Sequence, residues 1–71
     1  MMRDPKRDPL AGDVLRKGKK TRTVLSLVGT FRNRVKFTTD PEVLDDYLGM
    51  DVGILSWRKW AKNAEVIHLS V

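Results

Sequence analysis

Between Thr21 and Val28, threonine, valine and leucine dominate, and no polar face of helical period exists. Such a run suits a pleated, half-buried surface and predicts a strand. By strict alternation Val24, Ser26 and Val28 share one face, and Thr23, Leu25 and Leu27 share the other. Both faces are largely apolar, so this strand is expected at the centre of a sheet, covered on both sides. A shorter strand, Val14-Leu15-Arg16, precedes it after Gly12-Asp13, with Lys17-Gly18-Lys19-Lys20 as the charged turn between them. Gly29 to Asn33 reads as the next turn. Arg34-Val35-Lys36-Phe37-Thr38-Thr39 then alternates, with Val35 and Phe37 toward a core and Arg34, Lys36 and Thr38 toward solvent.

The pattern changes at Asp40-Pro41-Glu42. Aspartate can cap a helix, proline fits its first position, and glutamate suits the positive end of its dipole. Val43, Leu44, Tyr47 and Leu48 then make one apolar stripe, and Gly49 is a plausible stop. This predicts a short inserted helix of two turns. Asp51 to Leu55 reads as a short strand or an extended connection. Ser56 is placed to cap a helical turn carrying Trp57 and Trp60, which Asn63 ends. Glu65 to Val71 is the last strand. The order, mainly β with one helical turn before the final strand, predicts a small, partly open barrel. Closing such a sheet removes most of its exposed edge. Residues 1–9, with the helix-opposing steps Asp4-Pro5 and Asp8-Pro9, read as a flexible N-terminal arm. Residues 10–71 form a single domain.

Size and composition narrow the chemistry. A 71-residue chain buries only about 60% of the surface it exposes when unfolded. That supports one core and no elaborate deep active site. Without cysteine, disulfides, thiolate metal sites and cysteine nucleophiles are excluded. A single histidine, His68, excludes a histidine cage, and it falls in an alternating strand. Asp45 and Asp46 are adjacent, so on a helix they diverge and make a poor acid–base pair. With no nucleophile–base pair in view, the chain reads as a non-enzyme without metal or cofactor. No apolar stretch approaches the ~20 residues of a membrane span. The charged, proline-broken start holds no hydrophobic signal segment. A cytoplasmic protein with no membrane contact is the expectation.

Fourteen lysines and arginines against nine aspartates and glutamates give a net charge of +5. The charges are segregated. Arg16, Lys17, Lys19, Lys20, Arg22, Arg32, Arg34 and Lys36 come first, and Asp40, Glu42, Asp45, Asp46 and Asp51 follow. A positive field favours polyanionic partners such as nucleic acid; a solubilising surface is the plain alternative.

Gly12-Asp13-Val14-Leu15 followed by Arg22-Thr23-Val24-Leu25 resembles the opening hairpin of SH3-like barrels. The short helical turn before the last strand is similar to that architecture as well. Lys17-Gly18-Lys19-Lys20 resembles the loop of the nucleic-acid-binding KOW-type subset, although the glycine that starts the second strand there is missing here. The whole chain also resembles small phage- and prophage-encoded proteins, several of which end in a segment like Trp57-Arg58-Lys59-Trp60-Ala61-Lys62. That group implies no defined activity, and a phage origin would place the protein in the host cytoplasm.

Two constellations are candidate sites. Residues i and i+3 share a helix face, so Trp57 and Trp60 present two indoles together. In one reading an indole is exposed and stacks on a base or grips a peptide, with Arg58, Lys59 and Lys62 on phosphate or carboxylate groups. In the other the indoles belong to the core, Trp60 closing one end of the barrel. The second constellation is the basic set. If the first three strands form a meander, Arg22, Arg34 and Lys36 can line one outer face between the 17–20 and 29–33 turns. The expected nucleic-acid-binding residues are thus Lys19, Lys20, Arg22, Arg32, Arg34, Lys36 and Arg58, with Phe31 or Trp57 stacking. A protein-interaction module using Trp57 and the acidic helix, such as a phage-encoded adaptor or inhibitor of a host factor, is the alternative. A small protein that oligomerises through an exposed strand is a third.

Overall fold

The computed structural model describes residues 3–40, 42 and 49–70. The helix expected over 41–48 lies outside the described residues. Five strands are described: β1 (Val14–Lys17), β2 (Lys20–Val28), β3 (Arg34–Thr38), β4 (Met50–Gly53) and β5 (Glu65–His68). They form one antiparallel sheet in the order β4-β3-β2-β1-β5. The helix α1 (Ile54–Ala61) lies between β4 and β5, and a 3-10 turn over Thr30–Arg32 joins β2 to β3. The protein is mainly β, with an open sheet and a short helix before the last strand, as its patterning predicts. The apolar run of β2 is the central strand.

Register decides which side chains meet. Val24 lies opposite Phe37, but Ser26 lies opposite Lys36 and Leu27 opposite Val35. The extra residue, Leu25, is a β-bulge, and it reverses the alternation beyond it. Val24 and Leu27 therefore face the same side, and Val28 joins the outer face opposite Arg34. Strict alternation had separated Val24 from Leu27; the bulge is the physical reason it does not hold.

The inner face carries Leu15, Val24, Val35 and Phe37, all buried. Helix α1 lies across it and buries Trp57 and Ala61, with Ile54 and Trp60 half-buried beside them. Ile54, Trp57 and Ala61 recur at i, i+3 and i+7, one stripe of a helix. The helix starts two residues before Ser56. Gly53 precedes it in extended conformation without a side-chain cap, and the first helical amide, Ile54 N–H, donates instead to Asn33 O at 2.7 Å. A carbonyl of the β2–β3 turn thus does what a capping serine would do.

Residues 3–9 belong to the segment read as an arm. They form a turn in which the amides of Arg7 and Asp8 donate to Asp4 O, and Pro5 and Pro9 are buried. The reason is Trp57. Its fully buried indole needs an acceptor for its N–H, and Nε1 donates to Pro5 O at 3.1 Å. Arg58 Nε adds a bond to Arg7 O at 3.0 Å.

Asp13 ties the same segment to β1 and to the C-terminal residues. Its side chain is fully buried. It accepts two bonds from the Arg3 guanidinium, one from Leu10 N–H and one from Ser70 N–H. Arg3 also donates to Ser70 O. Gly12 makes the approach feasible, since its φ of 97° is left-handed and a Cβ there would come within 3.1 Å of Ser70 Oγ. Burial alone pushes the Asp13 carboxyl up, but the Arg3 guanidinium and the two amides outweigh it and hold it below its usual range. Because Ser70 turns in to meet Asp13, β5 stops at His68, short of the strand expected to Val71. The strand β5 is a free edge of the sheet among the described residues. It is four residues long, all exposed, with Ile67 as an extra residue between the pairs Leu15–Val66 and Val14–His68.

Two measurements check this construction. Trp57→Ala removes the largest core side chain and is expected to cost ~3–5 kcal/mol in chemical denaturation; a loss below ~1 kcal/mol contradicts the burial described. The second follows Asp13. Its folded pKa lies below the unfolded one, so the unfolded chain protonates first. The stabilisation is complete above about pH 4 and is lost as pH falls through the folded value. Asp13→Asn should lower stability at neutral pH by roughly 3 kcal/mol and flatten the acid limb of the stability profile.

Candidate nucleic-acid interface

The basic residues do not lie along one wall. Arg22 is opposite Leu15 and two residues from Val24, which puts it on the inner face. Its guanidinium sits 4.2 Å from the Phe37 ring centre and 4.2 Å from that of Trp60, with Trp57 at 5.9 Å. Burial lowers its pKa from the ordinary value; an arginine nevertheless stays protonated. The two aromatic faces stabilise the desolvated cation. Arg22 therefore plugs the open end of the core and does not belong to an outer stripe.

Arg34 and Lys36 do share the outer face of β3, but Asp51 on β4 lies directly opposite Lys36. Arg34 donates to both Asp51 oxygens, at 3.3 and 3.4 Å. These bonds, with the Arg34 charge, hold the Asp51 carboxyl below its usual range. Arg16 pairs with Glu65 at 2.9 Å and Arg58 with Asp8 at 3.8 Å. Exposed pairs of this kind add little stability, yet they neutralise the arginines of the sheet walls. The expected stripe of Arg22, Arg34 and Lys36 is thus split between two faces, and its outer part is countered by an aspartate.

The lysines behave differently. Lys17 and Lys20 face each other at the end of the β1–β2 hairpin, two residues from Leu15 and Arg22 respectively, on the inner side. Gly18 takes a φ of 64° to close the turn, and Lys19 sits beside it. Lys59 and Lys62 come from the C-terminal end of α1. A shallow groove of about 550 Å³ is lined by Lys17, Ser56, Lys59, Trp60, Lys62 and Asn63. A second, of about 540 Å³, is lined by Lys19, Lys20, Arg22 and Phe37 and includes Met50 and Asp51. The Arg22–Trp60 stack joins the two, and Lys17 Nζ is 5.9 Å from the Trp60 ring. No ion pair of the described residues involves any of these five lysines.

The two tryptophans exchange the roles their spacing left open. Trp57 is fully buried, 5.9 Å from Phe37 and 5.7 Å from Trp60, and presents no face for stacking. Trp60 is half-buried and lines the lysine groove. The signal was present in Ile54, Trp57 and Ala61, whose common stripe centres on Trp57 once the helix begins at Ile54. Lys17, Lys59, Trp60 and Lys62 are the groove residues that the expected binding set omitted.

Phe31, Arg32 and Arg58 lie elsewhere. The nine residues of β2 separate the β1–β2 turn from the β2–β3 turn, so at ~3.3 Å per residue the two turns occupy opposite ends of the sheet. Phe31 is 97% exposed. Both Phe31 (φ 56°) and Arg32 (φ 54°) are left-handed, a conformation that costs a non-glycine residue roughly 1–2 kcal/mol.

Among the described residues no group of acidic, histidine or cysteine side chains could hold a metal ion, and no helix is long and apolar enough to cross a membrane. No family model matches the chain, and neither a curated protein nor a solved structure matches it.

The unequal exposure of the two indoles is directly measurable. Acrylamide should quench Trp60 and spare Trp57. The Trp60→Phe variant should keep a blue-shifted, protected emission. An emission that remains fully quenchable in that variant would place Trp57 at the surface.

Proposed function

We propose that the protein is a non-enzymatic nucleic-acid-binding module working in the cytoplasm, and that it binds through the lysine-rich end of the sheet. The observation that carries this reading is the cluster of Lys17, Lys19, Lys20, Lys59 and Lys62 around the half-exposed Trp60, with no acidic partner on those lysines among the described residues. Ammonium groups on flexible stems suit a phosphate backbone as point charges. An indole held rigid by the Arg22 guanidinium on its ring suits a base, since every base offers a π face. Arg22 and Phe37 support the platform from below. Arg34, paired with Asp51, and Lys36, opposite that aspartate in the ladder, take no part.

The reading favours a single strand over duplex, because a base can reach Trp60 only when it is unstacked. Release should be steep with salt. Each phosphate contact contributes about −0.7 to the slope of log affinity against log salt for a single strand, so four or five contacts give a slope of roughly −3.

Fluorescence anisotropy with a labelled single-stranded oligonucleotide tests this. Binding at ~50 mM salt and loss by a few hundred mM is expected. The double variant Lys59→Glu with Lys62→Glu should weaken binding by roughly tenfold or more. Trp60→Ala should cost ~1–3 kcal/mol, and Lys36→Glu should change little. No binding at low salt, or equal losses at Lys36 and Lys59, removes the proposal.

A further inference from the structure

The opposite end of the sheet carries a second surface of different chemistry. A groove of about 310 Å³ runs beside the β2–β3 turn. Its apolar lining is Pro9, Leu10, Leu27 and Ile54, and Phe31 stands at the same groove. Leu10 is 41% exposed and Phe31 is 97% exposed. Leu55, the next residue of α1 after Ile54, is also exposed. Around this apolar surface stand Arg7, Arg32 and Arg58, with Asp8, paired to Arg58, as the only acidic group of the lining among the described residues.

We infer that this groove is a docking site for an acidic peptide segment that carries apolar side chains. Three observations converge. Three guanidiniums against one carboxylate leave the rim positive, so the complementary ligand is negative. The cations are all arginine here, whereas the other end of the sheet offers lysines. A planar guanidinium matches a carboxylate with two parallel bonds, and an ammonium does not. The third observation is strain. Phe31 and Arg32 are consecutive left-handed residues, and glycine at either position would relieve the backbone. Holding a phenyl ring fully in solvent on a strained turn stabilises nothing within the fold. Strain of this kind persists where a side chain must be presented to a ligand. The occupant would lay apolar side chains between Phe31 and the Leu10–Leu27–Ile54 floor and set its carboxylates on Arg7 and Arg32.

The site is independent of the lysine end, and the two can be separated. The probe is a short fluorescein-labelled peptide of alternating aspartate and leucine, titrated into the full-length protein. A peptide with serine in place of leucine, and one with lysine in place of aspartate, are the controls. The aspartate–leucine peptide should bind, with about tenfold gained for each leucine that is seated. Phe31→Gly should weaken that binding about tenfold or more and should also raise Tm, because the turn relaxes. Lys59→Glu should leave the peptide affinity unchanged, and Phe31→Gly should leave oligonucleotide binding unchanged. Equal binding of the serine peptide would reduce the site to charge alone and overturn the inference. Full peptide binding by Phe31→Gly would do the same. Loss of oligonucleotide binding in Phe31→Gly, with the peptide unaffected, would assign the turn to the nucleic-acid surface.

Discussion

A sheet of five short strands has no interior until something lies across it, and in this chain that something is the indole of Trp57. It is the largest fully buried side chain and touches three otherwise separate parts. Its ring packs near Phe37 of β3, it fixes α1 across the sheet, and its N–H draws Pro5 O down onto the helix. Each consequence is geometric. With the helix fixed, Lys59, Trp60 and Lys62 fall beside the β1–β2 hairpin, while Ile54 and Arg58 fall beside the β2–β3 turn. Both candidate surfaces are therefore set by where one side chain is buried. Asp13 complements it from the sheet's margin, holding the N-terminal segment and Ser70 against the start of β1.

The charges sort by residue type as well as by sign. In every ion pair among the described residues the cation is an arginine. Lysines surround the indole at one end, and arginines rim the phenyl-bearing turn at the other. A formal charge of +5 states an overall attraction to polyanions and hides this division. Between the two ends, Asp51 pairs with one cation of β3, Arg34, and lies opposite the other, Lys36.

Most of the fold was legible in the sequence because strand runs are written in side-chain branching and turns in glycine and charge. The hairpin at Gly18, the central position of β2 and the inward direction of Val35 and Phe37 all followed from such local signals. The register was not legible. A strand apolar on both sides fits its neighbour equally well in either phase, and nothing in Val24-Leu25-Ser26 marks the bulge. That one extra residue carries Leu27 inward, and the register of β1 against β2 carries Arg22 under Trp60. The cationic stripe failed for this reason, since it required Arg22 to share a face with Arg34. The choice between the indoles was hidden as well. A spacing of three says that two side chains share a face and leaves open which lies at its centre. The start of the helix settles that, and the start was set by a distant carbonyl, Asn33 O, in place of the serine that local rules favour.

The last strand carries a consequence of its own. Sheets with long, flat, unpaired margins recruit other chains and grow into fibres. Here the free margin at β5 offers only four rungs, interrupted by the bulge at Ile67, before the chain turns inward at Ser70. An arriving strand would lose its alignment after two or three residues. The same irregular ending that leaves Val66 and Ile67 uncovered thus shortens the ladder that this edge can offer to another strand.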